Sequence, residues 1–134
     1  MTGRSSRIKG HSFERQICHL LEDELGISCK RELNQVREAD LGDIVINPFV
    51  IECKRRATRS ETSRPPAAWW DQAWSAGDKL KLTPILIWKY DYRDITAMVP
   101  LHLLNDDYLP VKDYSAILDV QTLIMVMREA IAGD

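Results

Sequence analysis

The fold of this chain is decided by the stretch DLGDIVINPFVIECKRR, residues 40–56. Two apolar runs rich in β-branched residues, DIVI and FVIECK, flank the turn dipeptide Asn47-Pro48, and this pattern predicts a β-hairpin. Three charged side chains, those of Asp43, Glu52 and Lys54, interrupt the apolar runs. Because an unpaired buried charge is costly, such groups pair with one another or hold a metal ion.

The alternation of side chains along a strand groups these charges. Glu52 and Lys54 share one face of the second strand, ~7 Å apart, and Ile51 and Cys53 take the other face. Asp43 opens the first strand and can therefore lie beside Glu52. Two neighbouring carboxylates repel each other unless a cation lies between them, and hard oxygen ligands suit Mg²⁺ or Mn²⁺.

Two interpretations of this pattern are open. The three groups can form a metal site for phosphodiester hydrolysis, in which Lys54 orients a water or stabilises charge on a phosphate. Alternatively, Glu52 and Lys54 form an ordinary ion pair on an exposed sheet face, and Asp43 is only a turn residue.

A fourth charged residue, Glu14, favours the metal site. Residues 11–26 predict a helix with Ser12 as its N-cap and Gly26 at its end. Glu14 lies three and four residues before Ile17 and Cys18, so it heads the apolar stripe of this helix. That stripe consists of Ile17, Cys18, Leu21 and Leu25. We therefore expect Glu14 to point towards the body of the protein.

The remaining elements complete an α/β domain with a mixed central β-sheet flanked by α-helices. Pro66 opens a helix whose inward face carries Trp70, Ala73, Trp74 and Gly77, and Asp119 caps the last helix. The predicted strands are 27–33, the two hairpin strands, 83–91, 94–100 and a short strand at 115–119, and the later helices are 67–80 and 120–133. We expect one domain over residues 1–134.

Composition and charge limit the function. The 134 residues are 45% hydrophobic and 28% charged, which is typical of a soluble globular protein. No apolar run approaches the ~20 residues of a membrane helix, and no apolar segment follows the basic N-terminus, so we expect a cytoplasmic protein without a secretory signal. The three cysteines form no CxxC pair, which argues against a zinc site and a disulfide framework.

The net charge of −2 gives no overall attraction to nucleic acid, but the charge is unevenly distributed. Residues 1–64 carry 12 Lys and Arg against 10 Asp and Glu, a balance of +2, and residues 65–134 carry 6 against 10, a balance of −4. Locally basic surface can hold phosphates, although a basic cluster can also be ordinary solvated surface.

The order Glu14, Asp43, Glu52-Cys53-Lys54 resembles the PD-(D/E)XK nuclease superfamily. Lys9-Gly10 before the first helix, the loop leading to Asp43 and the Trp/Gln-bearing helix at 67–80 are similar to the Holliday-junction resolvases of archaeal and phage type. The similarity spans roughly residues 9 to 100. Gly42 departs from it, because the superfamily name expects Pro at that position.

The resemblance implies a restriction-endonuclease-like fold and an Mg²⁺-dependent endonuclease, with Mn²⁺ as a substitute, that acts on branched DNA as a homodimer. It implies Asp43 and Glu52 as metal ligands, Glu14 as a ligand directly or through water, and Lys54 as the water-orienting group. Gln72 is a weaker candidate, since its helix phase allows solvent exposure equally well. The residues expected to touch DNA are Lys9, Arg15, Arg31, Gln35, Arg37, Arg55, Arg56 and Arg59.

Two alternatives to a junction resolvase remain. One is a nuclease-fold module that binds DNA without cutting it, although such a module has no need of clustered acids facing a phosphate. The other is a nuclease for duplex, flap or single-stranded ends, which the same metal site would serve equally well.

Overall fold

The computed structural model describes the backbone of residues 3–31, 42–57 and 64–133, and the side chains of 11–29, 42–57 and 64–133. Within these ranges no helix combines the length and the apolar character that a membrane crossing requires.

The described residues form one mixed β-sheet with helices packed on it, which confirms the predicted α/β class. The strands are β1 (Lys30–Arg31), β2 (Ile44–Ile46), β3 (Phe49–Arg56), β4 (Thr83–Tyr90), β5 (Thr96–Pro100) and β6 (Ser115–Asp119). The helices are α1 (Gly3–Leu25), α2 (Ala67–Leu80), α3 (Leu101–Leu104) and α4 (Val120–Ala132).

The six strands lie side by side in chain order, β1-β2-β3-β4-β5-β6. β3 and β4 are parallel, with α2 as their crossover connection, and every other neighbouring pair is antiparallel. The β2–β3 hairpin turns at Asn47 and Pro48, as predicted. The sheet therefore places β3, the strand with the charged residues, in its interior.

The two faces of the sheet carry separate apolar clusters. Ile51 and Cys53 point into the larger cluster, which includes residues of α1 and α4. The other face holds a smaller cluster of Trp70, Ala73, Leu86, Trp88 and Met98, covered by α2. Because side chains alternate along β3, Glu52 and Lys54 project from the face that α2 covers.

The helices differ from the predictions at several points. α1 begins at Gly3 and not at Ser12, because no proline interrupts residues 3–11 and the helix runs on through them. Its predicted end is confirmed, since Gly26 has a φ of +67° and donates its N–H to the carbonyl of Glu22 at 2.9 Å. On α2 the residue buried beside Gly77 is Ala76, and Trp74 is only partly buried.

Two short elements also differ. The strand predicted at 27–33 is confined to Lys30–Arg31 within the described residues, and the four-residue helix α3 was not predicted. Asp119 caps α4 as expected, its Oδ1 accepting the N–H of Thr122 at 2.7 Å.

The backbone conformation of residue 42 explains why it is Gly and not the Pro that the superfamily name expects. Its φ is +82°, and a Cβ at this position would collide with Cγ2 of Val50. Proline has a φ fixed near −65° and cannot adopt this conformation. The chain therefore enters β2 through a conformation that only glycine adopts without strain.

Candidate active site

The β2–β3 hairpin brings Asp43 beside Glu52. The register ends with Ile44 paired to Ile51, and Asp43 and Glu52 are the residues directly beyond this last pair. The N–H of Asp43 donates to the carbonyl of Ile51 at 3.0 Å, and Oδ2 of Asp43 accepts the N–H of Cys53 at 2.7 Å. Both the backbone and the side chain of Asp43 are thus tied to β3.

Glu52 is a buried acid whose pKa is strongly raised. It is only 3% exposed, and its Oε2 is buried without a hydrogen-bond donor. Burial, followed by the negative charge of Asp43, raises the pKa of Glu52 from 4.5 to about 8, and Lys54 opposes this shift only in part. A buried oxygen in this situation needs a proton or a cation as its partner.

Asp43 is half-buried, less buried than Glu52, and its charge is better compensated. Desolvation raises the pKa of Asp43, while the N–H of Cys53 and the charge of Lys54 lower it. The two carboxyl groups are close enough to share a proton when one of them is neutral. Without a cation, ionisation of both carboxyl groups is therefore unfavourable, and the pair carries one negative charge.

Lys54 is held between an acid and an amide. Its Nζ lies 3.6 Å from Oε1 of Glu52 and donates a hydrogen bond to Oε1 of Gln72 at 2.7 Å. The Lys54 side chain is 15% exposed, so the ammonium lies near the surface with both neighbours fixing its position. Gln72 thus points at the site from α2 and is not an exposed residue, although helix phase alone did not decide this.

Glu14 approaches Asp43 from helix α1. It is 7% exposed, and a hydrogen bond between its carboxyl and that of Asp43 opposes, as the smallest of several contributions, the rise that burial causes in the pKa of Asp43. His11, one turn earlier on α1, places Nδ1 3.9 Å from Oε2 of Glu14. The first-helix acid therefore faces inward, towards the hairpin.

The donor set fits a hard divalent cation. Within the described residues no group of three His, Cys, Asp or Glu side chains is already arranged as a metal-ligand cluster. Mg²⁺, however, needs only one or two carboxylates and keeps several waters. The unsatisfied Oε2 of Glu52, adjacent to Asp43, is an oxygen that such an ion would satisfy.

The residues expected to touch DNA have different surroundings. Arg15 is exposed on α1, with Nη2 3.4 Å from the hydroxyl of Ser12. Arg55 forms an ion pair with Asp91, whereas Arg56 is exposed and lies over Trp69. Lys9 lies in α1 and Arg31 in β1, with side chains outside the described set, and Gln35, Arg37 and Arg59 lie outside the described residues.

A family comparison matches this arrangement. The model of the family described as "Phage putative PDDEXK endonuclease" matches residues 5–128, which is most of the chain. The chain belongs to this family. No curated protein matches it.

The PDDEXK endonuclease family implies a DNA substrate. Nucleases of this superfamily typically use a divalent metal, in keeping with the carboxylate pair described above. Among the contacts of this PDDEXK chain that the sequence did not predict are those between Arg55 and Asp91 and between Arg56 and Trp69. Strand alternation could have indicated the second, since residues 52, 54 and 56 share one face.

Proposed function

We propose that this chain is a divalent-metal-dependent endonuclease that hydrolyses phosphodiester bonds in branched DNA, as a Holliday-junction resolvase does, and that it acts as a homodimer. The observation that carries the proposal is the buried Oε2 of Glu52, which has no hydrogen-bond donor. Glu52 is only 3% exposed and lies beside Asp43. Buried carboxylate oxygens are usually hydrogen-bonded, so this oxygen favours a site that holds a cation over a purely structural ion pair.

Each residue has a role that follows from its position. Asp43 and Glu52 would hold Mg²⁺ or Mn²⁺, with Glu14 contributing directly or through a water. Bound metal would neutralise the carboxylates, lower the pKa of an attacking water and offset charge on the phosphate. Lys54, fixed by Gln72, would orient that water or stabilise the negative charge that develops on the phosphate.

The four charged residues also favour catalysis over simple binding. Glu14 and Glu52 are the charged residues that are buried among the described side chains. Buried acids facing a phosphate repel it, so a module that only binds DNA gains nothing from them. A metal titration tests this point, because a pure binding module should show no specific Mn²⁺ site.

The branched substrate and the dimer rest on the resemblance to the resolvases. A four-way junction presents two equivalent scissile phosphates, and a two-fold dimer presents two equivalent sites. Sedimentation of the purified protein would test the dimer directly. A monomer at the concentrations that support cleavage would contradict it.

The decisive experiment is a cleavage panel in Mg²⁺. It compares a four-way junction, a flap, a nicked duplex and a single strand, with the Glu52→Ala variant and EDTA as controls. We expect paired cuts in the junction, absent in both controls. Preference for flap or duplex would reject the resolvase assignment alone, and no cleavage of any substrate in Mg²⁺ or Mn²⁺ would reject the nuclease.

A further inference from the structure

The strand that carries the candidate active site continues on the same face with Arg56. Glu52, Lys54 and Arg56 alternate along β3, so Arg56 lies ~7 Å beyond Lys54 by the rise of a strand. Its guanidinium carbon is 5.5 Å from the centre of the Trp69 ring. Nη1 of Arg56 also donates a hydrogen bond to the carbonyl of Arg55 at 2.9 Å.

Residues of three elements meet around this arginine. Trp69 belongs to the first turn of α2, and Tyr90 ends β4 directly opposite Arg56 in the parallel register. The rings of Trp69 and Tyr90 lie 6.0 Å apart with 31° between their planes. Arg56, Trp69 and Tyr90, which we call the stacking cluster, are thus built from β3, α2 and β4.

The neighbouring arginine shows that this arrangement is specific. Arg55 forms an ion pair with Asp91 and its side chain is only 19% exposed, so its charge is already matched within the protein. Arg56 is exposed, and no carboxylate of the described residues pairs with it. Of the two arginines, Arg56 therefore has both a guanidinium that lies over an aromatic ring and a charge that no carboxylate of the described residues pairs with.

A guanidinium held on an aromatic ring is a surface for a nucleobase. Unstacked bases bind on aromatic side chains and on the planes of arginines, and the contact is tolerant of sequence because every base has a π-face. A base inside a duplex is stacked on both sides and cannot use such a surface unless it is extruded. The cluster therefore suits a nucleotide that is not paired.

We propose that the stacking cluster binds an unpaired base of the DNA strand next to the scissile phosphate. This inference rests on the proposed nuclease function and deepens it, since it makes DNA with an unpaired nucleotide beside the cut the preferred substrate. Lys54 acts at the phosphate, and Arg56, with Trp69 behind it, holds the adjacent base by stacking.

The test separates stacking from charge. Binding of a short single strand that contains 2-aminopurine is followed by its fluorescence in EDTA, where no cleavage occurs. We expect Trp69→Leu and Arg56→Lys each to weaken binding roughly 10–100-fold, the range for the loss of one stacking contact with a base. Arg128→Lys on α4 and Trp74→Leu on α2 are the matched controls, and thermal melting verifies that every variant is folded.

The outcomes are distinct. If Arg56→Lys binds like the wild type, Arg56 supplies only charge to a phosphate, and stacking is rejected. If Trp69→Leu binds no worse than Trp74→Leu, the ring is only a packing element, and stacking is again rejected. Because Arg56 is exposed, Arg56→Lys remains informative even if Trp69→Leu fails to fold.

Cleavage in Mg²⁺ then distinguishes the two proposals. If the wild type cuts nothing but shows the stacking signal, the nuclease assignment fails and the nucleotide site stands. If the wild type cuts branched DNA and Trp69→Leu cuts substrates with and without unpaired bases at an unchanged ratio, the nuclease stands and the stacking cluster is rejected.

Discussion

Nζ of Lys54 lies 2.7 Å from Oε1 of Gln72 and 3.6 Å from Oε1 of Glu52. The lysine therefore joins a strand residue, Glu52, to a residue of the crossover helix α2. This contact decides the direction of the ammonium, because a lysine on a strand otherwise has several rotamers available. In the proposed site Gln72 would therefore act through Lys54.

Removing the Gln72 amide should impair cleavage without impairing DNA binding. For Gln72→Ala we expect a fall in kcat of roughly 10–100-fold, the usual effect of losing a residue that orients a functional group, with KM for DNA little changed. Gln72→Glu keeps an acceptor and should recover part of the rate. Asp71→Ala, which removes the exposed ion pair with Lys112, is the matched control. Equal kcat in Gln72→Ala and Asp71→Ala would contradict the role.

Loss of either hairpin carboxylate should abolish cleavage. We expect Asp43→Ala and Glu52→Ala to lower kcat by at least ~10²-fold, since each removes a major electrostatic contribution. DNA binding in Ca²⁺ or EDTA should persist, and it should tighten at a pH where the removed carboxylate is ionised, because a negative charge that faces the phosphate is then lost. Asp78→Ala, at an exposed position of α2, controls for the loss of an acid. A variant of Asp43 or Glu52 that cuts normally would show that the metal site lies elsewhere.

Glu14→Gln tests the role of the first helix. The change keeps the shape of a residue that is 7% exposed and removes its charge beside Asp43. We expect the metal-free protein to keep or gain thermal stability, because an amide costs less to bury than a carboxylate and can still donate a hydrogen bond to Asp43. Mn²⁺ affinity and cleavage should both fall, and excess Mn²⁺ should restore part of the activity. Lower stability with intact cleavage would exclude Glu14 from the site.

The pH dependence of stability should report the buried acid. The pKa of Glu52 is about 8 in the folded protein against 4.5 as its ordinary value, so between these two pH values the folded state binds more protons than the unfolded state. By linkage the contribution of Glu52 is fully present below pH 4.5 and is lost as the pH rises through about 8. The free energy of unfolding in EDTA should therefore fall by on the order of a few kcal/mol across this window.

Glu52→Gln is the control for this measurement. Glutamine cannot ionise, so the variant should lose most of the decline and should be more stable than the wild type at pH 8. Adding Mg²⁺ to the wild type at pH 8 should recover stability, since a bound cation favours the ionised carboxylate. Denaturant unfolding at a series of pH values measures all three quantities. Identical pH profiles for Glu52→Gln and the wild type would contradict the assignment.

The sequence by itself determined the local structure of the hairpin and the sidedness of its strand. Asn47 and Pro48 between two β-branched runs set the turn, and strict alternation along β3 separated Glu52 and Lys54 from Ile51 and Cys53. Helix periodicity likewise placed Glu14 on the inward face of α1. These features depend on contacts between residues that are close in the chain. Sequence patterns over a short window therefore predict them.

The start of α1 could not be predicted from such local patterns. Ser12 followed by an apolar stripe has the pattern of a helix start, yet the helix begins at Gly3, because a favourable cap residue does not end a helix that can continue through it. The sequence did not predict the positive φ of Gly42 either. Only the approach of Val50 across the hairpin shows why glycine is needed there.

Tertiary structure alone decided which helix residues meet the strand. Gln72 and Trp69 lie on α2 at positions whose helix phase fits exposure as well as contact, and only the packing of α2 across β3 and β4 sets Gln72 on Lys54 and Trp69 on Arg56. The burial that raises the pKa of Glu52 is also a property of the assembled sheet. Desolvation depends on every element that excludes water from the carboxylate, and no short stretch of sequence contains that information.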